Sequence, residues 1–242
     1  MSHLHIPDGV LPLPWIAAGI GLTALFVYLA LAALKRHDRA RVVSRIATLS
    51  AVMLLAMSLP IPLLGYHVNL TVLAGILAGP AEGFIAAFVT NLILGLMAHG
   101  GITVVGLNTL VTGLEVSLGW LIWRSLRRAL RRPFAAAAVS TVIVLLISTT
   151  AMLGIVAGTQ INPDLALHRH DHSEHADHSE HADNADHADD TDHVGSLKAF
   201  AAVVYATGAV GWAIEALVVG SVTEFIAKSR PDMLSPSPDR EA

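Results

Sequence analysis

Histidine is the residue type in this sequence that most clearly points to chemistry. The 242-residue chain holds 13 histidines and no cysteine, so a metal ion would be bound here by nitrogen or oxygen and not by thiolate. Eight of the histidines stand in one polar stretch, residues 168–193, beside nine Asp or Glu residues. Two more stand at the start, in MSHLHIPDGVLP. These two segments are where metal binding is expected.

The opening residues can chelate a divalent ion in two ways. With Met1 in place, the terminal amine, two backbone amides and the His3 ring form a complete nitrogen set; with Met1 removed, the Ser2 amine and the amide and ring of His3 supply three donors. A nearly planar nitrogen set suits Ni(II) or Cu(II) better than Mg(II), Ca(II) or tetrahedral Zn(II). The following Pro7-Asp8-Gly9 predicts a turn that can direct this segment back into the protein.

The polar stretch contains the repeat HSEHAD, at 172–177 and again at 178–183. It cannot bury enough apolar surface to offset its chain entropy, so we expect it to be disordered. Imidazole binds late first-row divalent ions, and the interleaved carboxylates raise the local cation concentration. The pattern favours a low-affinity metal collector over a merely solubilising acidic loop. The accessory ligands would be His168, His170, His172, His175, His178, His181, His187 and His193.

The rest of the composition is that of a membrane protein. Hydrophobic residues make up 54% of the chain and charged residues 14%, and several apolar runs approach the roughly 20 residues that a helix needs to cross a bilayer. The first basic residue is Lys35, so we expect no cleaved signal peptide and a retained N-terminal segment. The clear runs are 14–34, 43–64, 102–123, 134–157 and 199–222.

The distribution of positive charge predicts the number of crossings. Two basic clusters, at 35–45 and 124–132, are expected to be cytoplasmic, which requires an even number of helices between them. An apolar segment at 69–98 is interrupted at Gly79-Pro80 and is interpreted as two helices, 69–79 and 82–98. The predicted fold is therefore an all-α integral membrane protein with about seven transmembrane helices, an extracytoplasmic N-terminus and a cytoplasmic C-terminus.

This topology divides the chain into four parts. Residues 1–158 hold the N-terminal segment and six helices, 159–196 the disordered extracytoplasmic loop, 197–228 the last helix and 229–242 a cytoplasmic tail. It also places four histidines outside the polar stretch on the extracytoplasmic face, namely His3, His5, His67 and His99. Because His67 follows the second helix on that face, its ring is a candidate fourth donor for the N-terminal chelate.

Several polar residues fall within or near the apolar helices, where ionisable groups are costly and often mark transport pathways. The deepest are Glu115 and Glu215, for which a transport role and a structural interhelical hydrogen bond are equally compatible with the sequence. His37 is interpreted as a residue that flanks the membrane beside Lys35. The remaining polar residues of this kind are Glu82, Asn91, Asn108 and Glu224.

Three stretches resemble a known family. They are HIPDGVLP at 5–12, GYHVNLTVLAGILAGP at 65–80 and NTLVTG at 108–113, and they look like the CbiM/NikM family, the cobalt and nickel substrate-capture components of energy-coupling factor transporters. The resemblance implies a metal bound by the terminal amine, by the amide and ring of an adjacent His, and by a second His from the loop after an early helix.

Carried over by motif, His5 takes the place of the N-terminal His of the family and His67 that of the loop ligand. Four residues precede His5, however, so its amide does not adjoin the free amine. Either His3 takes the terminal role with His5 as support, or His5 keeps the ring contact and the extension folds round to deliver the amine. The predicted metal site is therefore Ser2, His3, His5 and His67.

The resemblance also implies the energy source and the partners. No phosphate-binding loop GxxxxGK[ST] occurs in the chain, so ATP hydrolysis is expected from two ATP-binding subunits, joined through a membrane coupling subunit in the lipid bilayer and often accompanied by a small accessory membrane protein. The chain is predicted to be no enzyme, to bind no nucleic acid and to take up Co(II) or Ni(II) as transported substrate. The alternative is a self-sufficient secondary carrier or exporter driven by protons through Glu115 or Glu215.

Overall fold

A computed structural model describes residues 11–58, 67–97, 101–158 and 190–234, with side chains described for all of them except 155–158 and 190–200. Within these ranges the chain is helical and has no β-strand, and a short 3₁₀ turn, Pro231–Met233, follows the last helix. The helices are α1 (Leu13–Leu34), α2 (Arg39–Ser58), α3 (Thr71–Leu96), α4 (Val105–Leu130), α5 (Pro133–Gly158) and α6 (Asp190–Ser229).

The prediction of an all-α multi-pass membrane protein is confirmed. The described residues form six helices that are long and apolar enough to cross a membrane. The boundaries differ where polar residues start or end a helix. The second helix begins at Arg39 and not at residue 43, because Asp38 Oδ1 accepts the backbone N–H of Ala40 over 3.0 Å and so caps the helix.

The third helix, Thr71–Leu96, contains the two helical segments that the sequence predicted. It is interrupted at Gly79, whose φ of 76° and ψ of −178° are not helical and are accessible in practice only to glycine. The chain folds back there. A Cβ placed on Gly83 would lie 3.5 Å from the carbonyl oxygen of Ala74, although nine residues of continuous helix would separate them by about 13 Å. Residues 71–78 and 80–96 are therefore two antiparallel segments, so the break was predicted at the right place.

Contacts between helices give the relative direction of these segments. Residues 80–96 run parallel to α2, since Arg45 pairs with Glu82 and Ser50 donates to the carbonyl of Ala86. They run antiparallel to α4, since Asn91 donates to Thr112 and Gly95 lies beside Ile102. The arginine-rich start of α2 and the arginine-rich end of α4 therefore lie on one side of the bundle, here called the basic side; the other is the far side.

The last helix is antiparallel to α5 and begins earlier than expected. Thr150 and Tyr205 are hydrogen-bonded over 2.8 Å, and Phe134 lies against Gly220, which puts the end of α6 on the basic side. The helix begins at Asp190, seven residues before the predicted boundary at 197, so the last residues of the polar stretch are helical. Beyond it, the exposed Arg230 guanidinium binds both oxygens of Asp232 and lowers the pKa of that carboxyl.

The core lies around α3 and α4, which pack against each other through glycines. Gly75 lies against the backbone of Val116, and Gly119 lies against Val72. The first helix is attached at its own glycine: a Cβ on Gly106 would stand 2.6 Å from the Gly19 carbonyl carbon. Most other side chains of α1 are exposed, as expected for a helix that faces lipid or a partner. Leu70, in the loop that precedes α3, is part of this core.

Candidate functional site

The structure places one of the four predicted principal ligands. His67 lies in the described residues and is half-buried. Ser2, His3 and His5 lie within 1–10, outside the described residues. His99 also lies outside them, within 98–100. Of the accessory ligands, His193 is on the helical backbone of α6, and the other seven lie within 159–189, also outside. The predicted metal site therefore stays a prediction, and His67 is the point from which it can be built.

His67 lies in a non-helical segment whose described residues are 67–70, here called the His67 loop. The loop leads into segment 71–78, which runs toward Gly79 on the basic side, so the loop lies in the far-side half of the bundle. Asn69 is completely buried, and Leu70 has a left-handed backbone with φ 59° and ψ 15°. Non-helical backbone at membrane depth is tolerated only where protein or a polar cavity surrounds it, and here protein does.

Glu115 on α4 binds the base of this loop. Its Oε2 accepts hydrogen bonds from Asn69 Nδ2 and from Thr71 Oγ1, both over 2.6 Å. The same Asn69 accepts the Thr71 backbone N–H at its Oδ1, also over 2.6 Å, and so satisfies a donor at the first turn of α3. The Asn69 side-chain amide thus donates through Nδ2 and accepts through Oδ1. Exchanging the two groups would break both bonds, so its orientation against Glu115 is fixed.

Two further helices bind the same group of residues. Ser148 of α5 donates from Oγ to Glu115 Oε1, and Glu215 of α6 accepts the backbone N–H of Asn69 at Oε2 over 3.5 Å. Both carboxylates are fully buried. The His67 loop is therefore joined to three separate helices by one set of hydrogen bonds, here called the Glu115 network: Asn69, Thr71, Glu115, Ser148 and Glu215.

The network lies well inside the length of α4. Glu115 follows the first residue of α4, Val105, by ten residues, which is about 15 Å along the helix axis and about half the hydrocarbon thickness of roughly 30 Å. His67 precedes Asn69 by two residues, so its Cα lies within about 7 Å of that of Asn69. A ligand held by His67 would consequently enter the far-side half of the membrane protein and not merely touch its surface.

Sequence reasoning identified the two acids of this network but missed their partners. Glu115 and Glu215 were found because a carboxylate inside an apolar run is costly. Asn69 and Thr71 were missed although they stand next to His67 in HVNLT, where two polar residues interrupt an apolar segment. Ser148 gave no signal, because a single serine in an apolar helix commonly bonds its own backbone.

The other polar residues singled out in the sequence have structural contacts. Glu82 accepts from Arg45 over 3.5 Å at the basic side, and Asn91 donates to Thr112 over 2.8 Å between α3 and α4. Glu224 pairs with Lys228 on the surface of α6. His37 lies in the turn between α1 and α2, and Asn108 is buried on α4.

No three His, Asp or Glu side chains of the described residues come together in an arrangement that could hold a metal ion. Of the predicted principal ligands, only the half-buried His67 lies in the described part. Further nitrogen donors would have to come from the chain outside these ranges, and the N-terminal residues are the predicted source.

The family follows from comparison with known proteins. The family model described as CbiM, cobalt uptake substrate-specific transmembrane region, matches residues 5–233. The chain belongs to this family. That membership confirms the resemblance seen in the sequence, and the family is described as one of transport components and not of enzymes.

A relative in sequence and two solved structures agree with this family assignment. The cobalt transport protein CbiM of Geobacter sulfurreducens is 33% identical over 134 residues, which are 52% of this chain but only 38% of that relative. Two solved structures, a transition metal transporter and a truncated transition metal transporter, match with TM-scores of 0.69 and 0.68. They cover 93% of this chain and 92% and 98% of their own, at 17% and 18% identity, so they show the fold.

Proposed function

We propose that this chain is the metal-capture membrane subunit of an energy-coupling factor transporter that takes up Co(II) or Ni(II). The observation that carries the proposal is the His67 loop, which presents an imidazole inside the far-side half of a membrane bundle whose family is that of cobalt uptake. By the positive-inside rule the basic side is cytoplasmic, so His67 faces the compartment from which the metal is captured.

The N-terminal segment joins the described chain on the same side of the bundle as the His67 loop. Leu11, the first described residue, is buried and lies at the far-side end of α1, whose other end leads into the basic cluster at Lys35. Leu11 follows His5 by six positions, and an extended chain of that length spans up to about 20 Å. The proposed ligands are the terminal amine, on Met1 or Ser2, the amide and ring of His3 or the ring of His5, and His67.

The proposal assigns the polar repeat a collecting role. Residues 168–193 would gather cations at the outer face through many weak imidazole and carboxylate contacts, since a flexible repeat cannot fix one coordination geometry. The principal site would then select among the collected ions, because its nitrogen donors are held by folded structure at His67. Neither role fixes which of Co(II) and Ni(II) is carried, since both accept nitrogen ligands.

Energy would come from partner subunits. The chain has no phosphate-binding loop, which supports two ATP-binding subunits acting through a membrane coupling subunit, with an accessory membrane protein in some complexes. On α1 the small residues Ala17 and Gly21 are exposed, and nothing lies within 4 Å of a Cβ built on Gly21. Small residues at four-residue spacing allow close helix approach, so this face is compatible with docking of a membrane partner.

Metal uptake by cells that produce the chain alone or with its partners tests this proposal. We expect radioactive Ni(II) or Co(II) to accumulate only when the coupling and ATP-binding subunits are produced as well, and accumulation to stop when the ATP-binding subunits lack their phosphate-loop lysine. Undiminished uptake by the chain alone would contradict the partner-dependent proposal.

One observation favours a second candidate function, which the same experiment decides. The buried pair Glu115 and Glu215, both bonded to Asn69, resembles the intramembrane acids that relay protons in secondary carriers. A carrier of that kind would accumulate or expel metal without ATP-binding subunits, and its activity would collapse on addition of a protonophore.

A further inference from the structure

We infer that Glu115 is the positioning residue of the metal site: its carboxylate holds the His67 loop so that the His67 imidazole is preset for the metal. This inference rests on the proposed function, because it concerns the geometry of the proposed ligand. It assigns to Glu115 an acceptor role that acts through the loop, and neither contact with the metal nor proton transfer is required of it.

The first step of the argument is the number of donors that meet on one side chain. Glu115 accepts from Asn69 and Thr71 at Oε2 and from Ser148 at Oε1. The first two donors belong to the loop and to the first turn of α3, and the third fixes the carboxylate from α5. Two parts of the chain that are distant in sequence, the loop with the start of α3 and the middle of α5, thus meet on one carboxylate, which is fully buried.

The second step is the backbone of the loop itself. Leu70 is a non-glycine residue with φ 59°, an unfavourable conformation that persists only where the surroundings determine it. The bonds from Glu115 to Asn69 and Thr71 bracket Leu70 on both sides. Because His67 is only two residues from Asn69, loss of these bonds would release the segment that carries the imidazole.

The third step is the chemistry of substitution at Glu115. In Glu115→Gln, the amide oxygen can take the Oε2 position and accept from Asn69 and Thr71, while its NH₂ group donates to Ser148, whose hydroxyl also accepts. In Glu115→Met, a side chain of similar length offers no such acceptor, so the hydrogen bonds from Asn69 and Thr71 to residue 115 are lost. The two variants therefore separate hydrogen bonding from mere filling of space.

The experiment is Ni(II) binding by the purified full-length chain, followed by isothermal titration and by the visible absorption of the bound ion. We expect Glu115→Met to weaken binding by about ten- to a hundredfold, the usual effect of losing a partner that orients a ligand, and to shift the absorption because the His67 nitrogen no longer holds its place. Glu115→Gln should bind Ni(II) with an affinity close to that of the wild type and should show the wild-type absorption.

Glu82→Met is the matched control, since Glu82 is also a buried carboxylate but bonds Arg45 at the basic side. It should lower thermal stability without changing the affinity or the absorption. Equal affinity and absorption in Glu115→Met and the wild type would overturn the inference. So would equally poor binding by Glu115→Gln and Glu115→Met, which would assign the role to the charge. A wild-type chain that binds neither Ni(II) nor Co(II) would overturn the proposed function and the inference with it.

A second pair of variants covers the case in which Glu115→Met does not fold. Thr71→Val keeps the shape of the side chain and removes the hydroxyl that donates to Glu115, whereas Thr71→Ser keeps the hydroxyl. We expect Thr71→Val to bind Ni(II) more weakly than Thr71→Ser does. We also expect its absorption to be shifted from that of the wild type, whereas the absorption of Thr71→Ser should not be. Identical affinity and absorption in the two variants would overturn the inference.

Discussion

Asn69 Nδ2 lies 2.6 Å from Glu115 Oε2 and joins two residues that are 46 positions apart in the sequence. The bond ties a non-helical loop to the middle of a membrane helix. Since Asn69 also accepts from Thr71 and donates its backbone N–H to Glu215, the loop is bound to α4 and α6 through one residue. These contacts fix the backbone two residues from His67, and the apolar pattern of the surrounding sequence does not predict them.

Modifying the N-terminal amine should abolish tight metal binding. Acetylation removes one nitrogen donor of the proposed chelate, so the affinity for Ni(II) should fall by more than about 100-fold, since losing a ligand exceeds the effect of losing an orienting partner. His3→Ala and His5→Ala, compared in the same titration, should differ: the variant with the greater loss identifies the ring that joins the amine. Tight binding by the acetylated chain would contradict the N-terminal chelate.

Deleting residues 168–193 should separate collection from capture. We expect the deleted chain to keep the affinity of its tightest site and to lose the additional weak binding that the eight histidines provide, because disordered ligands bind without a fixed geometry. Equilibrium dialysis over a range of Ni(II) concentrations measures both quantities. A deletion that removes the tightest site would place the principal site in the repeat and refute the division of roles.

The break in α3 depends on glycine at position 79. Gly79→Ala should lower the free energy of unfolding by about 1–3 kcal/mol, since φ 76° with ψ −178° is strained for any side chain. Gly154→Ala is the matched control, because nothing lies within 4 Å of a Cβ there and alanine favours a helix interior. Thermal unfolding in detergent measures both. Equal stability of Gly79→Ala and the wild type would argue against the fold-back at this residue.

The ion pair at the basic side should matter more than a surface pair nearby. Arg45→Ala leaves Glu82, which is 3% exposed, without its cation, and the free energy of unfolding should fall by about 1–3 kcal/mol. Arg41→Ala removes an exposed pair with Asp38, for which a change below about 1 kcal/mol is expected. Chemical denaturation of both variants provides the comparison; a larger loss in Arg41→Ala would contradict the structural role of Glu82.

Much of the fold could be predicted because apolar length and positive charge obey general rules. The break at Gly79-Pro80 was predicted from two residues that oppose helix formation, and the structure places it at Gly79. The start of α2 was missed because Asp38 caps a polar first turn that a hydropathy pattern does not register. The bounds of a helix depend on such single contacts, whereas its existence depends on many residues.

The candidate site was predictable only in part. His67 and the two buried acids stand out in sequence because they are polar residues in an apolar chain, but their relation to one another depends on how α3, α4, α5 and α6 pack. Ser148 joins the Glu115 network only because α5 packs against α4 at the position of Glu115. Contacts of this kind join residues far apart in sequence and leave no local pattern.

Metal binding by the purified chain and by His67→Ala tests the central claim most directly. Equilibrium titration with Ni(II) and Co(II) should show one tightly bound ion in the wild type and an affinity lower by more than about 100-fold in His67→Ala, since a ligand itself is lost. His37→Ala, which changes a histidine in the turn between α1 and α2, should bind as the wild type does. Undiminished binding by His67→Ala would contradict the assignment of this loop as the capture site.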